Sequence, residues 1–287
     1  MTILVGTDGT EYGTAAVEWA AIEAHRRHTA LRIVHAFDWD WHGARFEIGT
    51  QYIDIGRQLA EAVLTEAAER ARECAPDLAI DTDTLIGPAT PGLLQAAGGA
   101  ELLVVGSRGR GGFTGLLLGS VSQRVAAHAP CPVAVIRGRD VPGGPIVAGI
   151  DDSPAADRIL AAAFEEAATQ GCGLTVLHSL APAIPPWLAD VRRADVLSPE
   201  DRAAELRRIE DLLAPWRDKY PGVLGETVLT HDTAAAALVH RSRESRLVVV
   251  GSGGHGAVGG SLLGAVGMQL LHHAASPVLI VRGEATR

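Results

Sequence analysis

The chain has 287 residues, 47% of them hydrophobic and 21% charged, and its formal net charge is −9. This length lies near the upper limit for one hydrophobic core, so we expect two domains. A negative field of this size repels nucleic acid and anionic membrane surfaces, and the sequence has no apolar run long enough to span a membrane, so we expect neither partner.

The three cysteines, Cys74, Cys131 and Cys172, are odd in number and show no paired spacing. Such a set indicates neither a disulfide framework nor a zinc site, and it is typical of a reducing compartment. The opening MTILVGTDGT lacks the basic segment and the long apolar segment of a secretory signal peptide. We therefore predict a cytoplasmic protein.

In the first half of the chain, short β-branched runs alternate with stretches of helical periodicity. The strands are predicted at about 2–6, 31–36, 79–86, 101–105 and 132–137. Most are unbroken apolar runs, which is typical of strands covered on both faces. The alternation predicts a parallel, doubly wound α/β sheet with right-handed crossovers.

The second half repeats this pattern. ILVGTDGT at 3–10 matches IVAGIDDS at 146–153, and CPVAVIRG at 131–138 matches SPVLIVRG at 276–283. Equivalent residues are 143 positions apart early in the repeat and 145 later on. A repeat of this length is a domain, and Gly and Pro cluster at its seam. The sequence therefore predicts domains at 1–139 and 146–284, joined by a linker at 140–145.

Two serine–proline pairs predict helix starts, at Ser153-Pro154 and Ser198-Pro199, because serine caps a helix and proline suits its first turn. The segments 38–56 and 181–198 differ between the copies, and both hold aromatic residues. Each is expected at the carboxyl edge of its sheet, where ligands bind in this architecture. Each is either an irregular loop or a lid.

A glycine-rich segment follows the fourth predicted strand. Gly106 and Gly109 allow main-chain N–H groups to approach an anion with no Cβ in the way. Farther on, Gly119 and Ser120 begin a predicted helix, whose start offers unpaired N–H groups and a positive dipole end. The hydroxyls of Ser120 and Ser122 either add donors or cap this helix. Together the two segments predict a phosphate cradle in two pieces.

Two common nucleotide motifs do not apply. No G-x-x-x-x-G-K-[ST] sequence occurs, which excludes a P-loop. The stretch GSGGHG at 251–256 fits G-x-G-x-x-G, but it follows a late strand and lacks an acidic residue about 20 positions on to hold a ribose. We therefore expect no dinucleotide site.

The spacing Gly106-x2-Gly109-x9-Gly119-Ser120, together with VGTDGT and CPVAVIRG, resembles the ATP-binding signature of the universal stress protein family. Because the likeness recurs in both halves, the chain resembles the tandem-domain members found in actinobacteria. The resemblance implies two Rossmann-like, adenine nucleotide α-hydrolase-like domains. Each would hold five parallel strands in the order 3-2-1-4-5, with helices on both faces. It also implies ATP as the ligand, with Asp8 near the ribose and triphosphate or its metal, Mg²⁺.

The resemblance transfers to particular positions of both copies. The ATP-binding residues predicted for the first copy are Asp8, Ala36, Val105, Gly106, Arg108, Gly109, Gly119, Ser120, Val121 and Ser122. Those predicted for the second copy are Asp151, Ser179, Val250, Gly251, Gly253, Gly254, Gly264, Ala265 and Val266. In the second copy, Ala265 and Gly267 replace the two hydroxyls of the first. We therefore expect the first site to bind ATP more tightly, by roughly one or two orders of magnitude.

The sequence shows no arrangement that we can assign to catalysis. There is no H-E-x-x-H and no paired catalytic carboxylates, and His35 and His178 are interpreted as core histidines. Hydrolysis of a nucleotide needs an aimed water and stabilised phosphoryl charge, and no residue is identified for that water. The predicted function is an ATP-binding stress-response regulator that is not an enzyme. The alternatives are a slow ATP hydrolase of the adenine nucleotide α-hydrolase-like group and a scaffold with vestigial sites.

The predicted fifth strands, 132–137 and 277–282, are apolar and carry no internal proline. Exposed edges of this kind are a liability in a sheet. We therefore predict that the two strands pair across a pseudo-twofold axis as an internal dimer, and that two chains can then form a homodimer.

Overall fold

The structure, a computed structural model, describes residues 2–37, 50–109, 117–139, 141–180, 198–253 and 263–282, with the backbone alone for 50–55. The chain divides into two compact units, Met1–Arg137 and Gly138–Arg287. In the described part of the chain, no helix is both long enough and apolar enough to cross a membrane.

The first unit is a five-stranded parallel sheet with helices between its strands. Its elements are β1 (Thr2–Gly6), α1 (Glu11–Arg26), β2 (Ala30–Phe37), α2 (Thr50–Cys74), β3 (Ile80–Ile86), α3 (Ala89–Ala96), β4 (Leu102–Gly106), α4 (Ser120–His128) and β5 (Val133–Ile136). The strand order is β3-β2-β1-β4-β5, and every pair is parallel. The predicted order is confirmed, and each predicted strand end lies within one residue of the observed one.

The second unit repeats the same architecture. Its elements are β6 (Ile146–Ile150), α5 (Ala156–Gln170), β7 (Leu174–Ser179), α6 (Pro199–Lys219), β8 (Gly225–Thr230), α7 (Ala234–Arg241), β9 (Leu247–Gly251), α8 (Ala265–His273) and β10 (Val278–Val281). Its strands lie in the order β8-β7-β6-β9-β10, again all parallel. The predicted α/β class with two Rossmann-like domains is confirmed.

The core lies between the sheet and its helices. Leu103 and Val104 of β4 are fully buried, as are Ala16, Ala20 and Ala24 along one side of α1. The helix α1 packs against α2, and α3 packs against α4. This is the layering expected when right-handed crossovers place the first two helices on one face and the next two on the other. The carboxyl ends of all five strands therefore lie at one edge of the sheet. The strand order reverses its direction between β1 and β4, and folds of this kind bind ligands at that point.

The two predicted helix starts have different outcomes. Ser198 is confirmed as a cap, since it and Asp201 form a reciprocal capping box ahead of Pro199. The start predicted at Ser153 is wrong, because α5 begins at Ala156. The amide and hydroxyl of Ser153 donate instead to Asp151 Oδ1. Serine hydroxyls form such local bonds in competition with helix capping.

Candidate functional site

Asp8 lies in a tight turn between β1 and α1. Its Oδ1 accepts from the Thr10 amide at 3.1 Å and from the Thr10 hydroxyl at 2.7 Å. Gly9 has φ of 74°, a left-handed conformation that favours glycine. The Thr10 hydroxyl also accepts from the Gly13 amide as the cap of α1. The turn therefore fixes the Asp8 carboxylate at the carboxyl edge of the sheet.

The backbone at the end of β4 approaches both α1 and Asp8 closely. A Cβ added to Gly106 would lie 2.4 Å from the Tyr12 carbonyl oxygen, and one added to Gly109 would lie 2.5 Å from Asp8 Oδ2. Side chains at either position would displace the neighbouring groups. Glycine is therefore required at Gly106, where the neighbour is a backbone atom, whereas a side chain at Gly109 would displace the end of the Asp8 side chain.

The two glycine-rich pieces predicted from the sequence meet in the structure. The Gly119 amide donates to the Ser107 carbonyl at 2.8 Å, which fixes the start of α4 beside the end of β4. Gly119 is the N-cap of α4, and no side chain caps that helix. The first amides of a helix have no carbonyl partner within it. Those of α4 lie at Ser120, Val121 and Ser122.

The two serines of α4 differ in environment. Ser120 is exposed. Ser122 is buried, and its hydroxyl donates to the Gly106 carbonyl at 2.6 Å. Since a hydroxyl has one proton to donate, this bond uses the proton of the Ser122 hydroxyl and supports the loop.

Two arginines provide positive charge near this edge. Arg108 donates to the Tyr12 hydroxyl at 3.0 Å, and its guanidinium lies 5.3 Å from the Tyr12 ring centroid. Arg137 follows β5 and is half-buried. Burial, and then the charge of Arg108, lower the pKa of Arg137 to about 10, so it stays a cation at neutral pH. Sequence reasoning missed Arg137, although Arg282 at the equivalent place of the second copy was an available signal.

The remaining predicted residues of the first unit lie at the ends of strands. Ala36 and Val105 are the penultimate residues of β2 and β4. His35, next to Ala36, is buried, and its Nδ1 lies 2.8 Å from the Thr7 carbonyl oxygen. A carbonyl only accepts, so Nδ1 carries a proton. His35 therefore ties the ends of β2 and β1 together, as a core histidine would.

The second unit repeats the backbone of this edge. Asp151 Oδ1 accepts from the Ser153 amide at 3.1 Å, as Asp8 does from Thr10. The Gly264 amide donates to the Ser252 carbonyl at 2.8 Å, and Gly264 caps α8 without a side-chain bond. The other predicted residues lie at strand ends or on the helix start: Ser179, Val250, Gly251, Gly253, Ala265 and Val266.

The side chains of the second edge carry fewer donors. Gly253 stands where the first unit has Arg108, and Ala265 stands where it has Ser120. Gly267 replaces Ser122, and a Cβ there would lie 2.6 Å from Leu263 Cδ1, so an apolar side chain packs closely at this position. The Ser179 hydroxyl is bonded within the protein, to the Asp232 carbonyl at 2.7 Å.

Part of the predicted site lies outside the described residues. This applies to Gly254 and to most of the two predicted loop or lid segments, 38–56 and 181–198. Where the first segment is described, from Thr50 onward, it belongs to α2 and is not a loop.

The protein thus belongs to the class of α/β proteins with two doubly wound units in tandem. In each unit, a glycine-rich strand end is joined to the start of a helix. Residues 1–137 and 144–282 each match the universal stress protein family, and the chain belongs to that family. It is 34% identical to the universal stress protein Rv2005c of Mycobacterium tuberculosis, over 98% of this chain and 96% of that protein. It is 33% identical to Rv2623 of the same organism, over 99% and 97%.

Among solved structures, a universal stress protein from Archaeoglobus fulgidus superposes with a TM-score of 0.74. It is 21% identical, and the match covers 99% of this chain and 97% of that one. That structure therefore has the same tandem fold. The family resemblance drawn from the sequence is confirmed.

Proposed function

We propose that the first unit binds ATP at the carboxyl edge of its sheet and that the protein is a nucleotide-binding regulator in the stress response. The observation that carries this proposal is the bond from the Gly119 amide to the Ser107 carbonyl. It holds the uncapped start of α4 beside the glycine turn after β4. Backbone amides and a helix dipole then converge on one place, which is the arrangement that binds phosphate.

Charge near the cradle supports an anionic ligand. Arg137 stays protonated at neutral pH although burial and Arg108 lower its pKa. A bound phosphate would offset both effects, because an anion close by stabilises a guanidinium. Arg108 and Arg137 thus place two cations at this edge although the formal net charge of the chain is −9.

The Asp8 carboxylate fits a Mg²⁺ ion that accompanies ATP. This ion binds proteins through one or two carboxylates and completes its shell with substrate phosphates and water. Asp8 is fixed by the Thr10 bonds at Oδ1, and its Oδ2 points toward Gly109. Bound there, Mg²⁺ would neutralise phosphate charge next to the carboxylate.

We propose that the protein acts through ATP occupancy and has no dedicated catalytic apparatus. The alternative, slow hydrolysis, is decided by phosphate release from ATP. Turnover lost in Asp8→Asn with binding retained would favour the hydrolase.

Four further expectations from the sequence remain predictions: a cytoplasmic location, the linker at 140–145, the pairing of strands 132–137 and 277–282, and a homodimer.

The proposal is tested by titrating nucleotide-stripped protein with ATP and Mg²⁺ in a calorimeter. We expect saturable binding, and we expect Arg108→Gln to weaken it by roughly tenfold through loss of a phosphate-facing cation. Arg72→Gln is the matched control, because it makes the same charge change at an exposed site in the last turn of α2. Equal loss in both variants would mean that only net charge matters.

A further inference from the structure

His178 of the second unit is a buried histidine with only one of its ring nitrogens hydrogen-bonded. It lies near the carboxyl end of β7, and its side chain is 8% exposed. Its Nδ1 lies 3.2 Å from the Ile150 carbonyl oxygen. A carbonyl only accepts hydrogen bonds, so in the neutral ring Nδ1 carries the proton. The lone pair of the ring is therefore on Nε2.

Two carboxylates lie close to Nε2. Glu205 Oε1, on α6, is 3.2 Å from it. A carboxylate oxygen of Asp152, in the turn after β6, completes a group of three ligand atoms that lie within 4.8 Å of one another. Neither a lone pair nor a carboxylate oxygen donates a hydrogen bond. The three atoms are therefore suited to bind one cation together.

The spacing of these atoms fits a zinc ion. Zn²⁺ binds imidazole nitrogen at about 2.0–2.1 Å and carboxylate oxygen at about 2.0–2.2 Å, in a tetrahedral arrangement. Two such ligands are then about 3.3–3.5 Å apart. Nε2 and Glu205 Oε1, at 3.2 Å, are already near this separation. The Asp152 side chain is 56% exposed, so it can turn to close the remaining distance.

The hydrogen bond on the far side of the ring is also typical of a metal ligand. A histidine that binds a metal usually donates its other N–H to a carbonyl or a carboxylate, which fixes the tautomer and the orientation of the ring. The Ile150 carbonyl accepts from His178 in this way. The strand β6 thus orients the ring that β7 carries.

Arg208 already holds the two carboxylates together. Its Nη2 bonds both Asp152 and Glu205, and its Nε donates to Glu205 Oε2 at 3.0 Å. The guanidinium supplies one positive charge for two negative charges, whereas a divalent ion balances both. The Arg208 side chain is 45% exposed, so Nη2 can move toward solvent while Nε keeps its bond to Oε2. Arg208 then orients the Glu205 carboxylate from outside the metal's own ligands.

We propose that Asp152, His178 and Glu205 form a zinc site in the second unit, with water as the fourth ligand. One imidazole and two carboxylates suit Zn²⁺, whereas Mg²⁺ and Ca²⁺ prefer oxygen ligands alone. The site uses no cysteine. The ion joins the turn after β6, the end of β7 and α6, next to the predicted nucleotide contact Asp151. Its function goes beyond nucleotide binding and does not depend on it.

The first unit has the equivalent histidine without these ligands. At the early repeat offset of 143, His35 corresponds to His178, and Gly9 stands in the place of Asp152. Within the described ranges, the group around His178 is the only set of three potential metal ligands, so none surrounds His35. The zinc site therefore belongs to the second unit alone.

Binding is measured with Co²⁺, a coloured substitute for Zn²⁺, added to the full chain after EDTA and nucleotide have been removed. We expect the visible absorption of four-coordinate Co²⁺ to saturate at one ion per chain. Added Zn²⁺ should abolish it, and excess Mg²⁺ should not. Absorption that never exceeds that of Co²⁺ in water, or displacement by Mg²⁺, would overturn the proposal.

Variants locate the ion, because the chain has 11 histidines and any exposed one can bind metal. In competition with a chelator, we expect Glu205→Gln to weaken Zn²⁺ binding by roughly a hundredfold and Asp152→Asn by roughly tenfold. Glu200→Gln is the matched control, because it makes the same charge change at an exposed site in the first turn of α6. Equal affinities in Glu205→Gln and Glu200→Gln would place the ion elsewhere and contradict the proposal.

The ring nitrogen that binds the ion is identified by ¹⁵N NMR of wild type, which avoids any variant that does not fold. We expect Zn²⁺ to shift the Nε2 signal of His178, while Nδ1 keeps its proton and the signals of His35 stay unchanged. A His178 ring that Zn²⁺ does not affect would overturn the proposal. All three measurements are made without nucleotide, so the zinc site and the ATP site fail separately.

Discussion

Ser120 and Ser122 show how two like residues on one helix serve different purposes. Ser120 is exposed at the uncapped start of α4, whereas Ser122 is buried and bonded to the Gly106 carbonyl. Only the first has a hydroxyl available at the surface of the cradle. The sequence alone does not distinguish the two serines, because their difference in burial and hydrogen bonding comes from how α4 packs.

We expect Ser120→Ala to weaken ATP binding by about tenfold, because a hydroxyl bond to a charged phosphate is lost. Its free energy of unfolding without nucleotide should change little. Calorimetric titration checks the first effect and denaturant unfolding the second. The reciprocal change, Ala265→Ser in the second unit, should strengthen the weaker site. An unchanged affinity in Ser120→Ala would make that hydroxyl irrelevant to binding.

Ser122→Ala should act on the fold instead. It leaves the buried Gly106 carbonyl without its donor, which costs about 1–3 kcal/mol of unfolding free energy. The comparison is Ser120→Ala by denaturant unfolding under the same conditions. If both variants were equally stable, the Ser122 bond would contribute nothing.

At the scale of elements, the close approach of β4 to α1 leaves no room for a side chain at Gly106. In Gly106→Ala the new Cβ would meet the Tyr12 carbonyl oxygen at 2.4 Å, a backbone atom that cannot rotate away. We expect a loss of about 1–3 kcal/mol in the free energy of unfolding, typical of overpacking.

The repeat supplies a control, Gly251→Ala at the equivalent strand end. There the nearest atom is Ile159 Cδ1 at 3.2 Å, the tip of a flexible side chain. We expect a clearly smaller loss by the same unfolding measurement. Equal losses at the two glycines would show that the contact with Tyr12 is not limiting.

The stability of the fold around α6 should depend on pH through Glu210. A bond from Arg217, and then one from Thr227 at 2.6 Å, lower the pKa of this carboxyl, while burial acts in the opposite direction. Since the folded pKa lies below the unfolded one, this stabilisation is present above the ordinary pKa of 4.5 and is lost as the pH falls below it.

We therefore expect wild type to lose more stability than Glu210→Gln between about pH 5 and pH 3, as measured by thermal unfolding. This difference in stability will be modest, because the side chains of Glu210 and Arg217 are each more than one third exposed and water screens their charges. Parallel pH profiles for the two proteins would remove Glu210 from the acid response.

Much of this architecture could be predicted from the sequence because it depends on local pattern. Unbroken apolar runs predicted the positions of the strands, and the family resemblance implied their order. The start of α5 could not be predicted, because Ser153 bonds Asp151 instead of capping the helix. The contact between His178 Nε2 and Glu205 Oε1, at 3.2 Å, could not be predicted either. It joins the end of β7 to α6, and no short-range sequence pattern records that.

At the scale of the whole chain, the two units have the same backbone arrangement at the carboxyl edge of the sheet but carry different side chains there. The second edge lacks the arginine and both hydroxyls of the first, because Gly253, Ala265 and Gly267 occupy their positions. The two units thus have the same fold and differ in the chemistry of their edges. In the second unit, Glu205 Oε1 lies 3.2 Å from His178 Nε2.

This divergence predicts unequal occupancy. Loss of a cation and a surface hydroxyl should weaken the second site by roughly ten- to a hundredfold. We expect calorimetry to show one tight ATP site per chain, and a second only at higher concentration. Arg108→Gly combined with Ser120→Ala should make the two sites similar. Two equal sites in the wild type would contradict the account.

The central claim is that the amides after β4 and at the start of α4 form a site for a triphosphate. Competition between ATP and adenosine for the tight site of nucleotide-stripped protein, with Mg²⁺ present, tests it most directly. We predict that ATP binds about a hundredfold more tightly, because adenosine cannot use the phosphate donors. Equal affinity for the two ligands, or binding of neither, would contradict it.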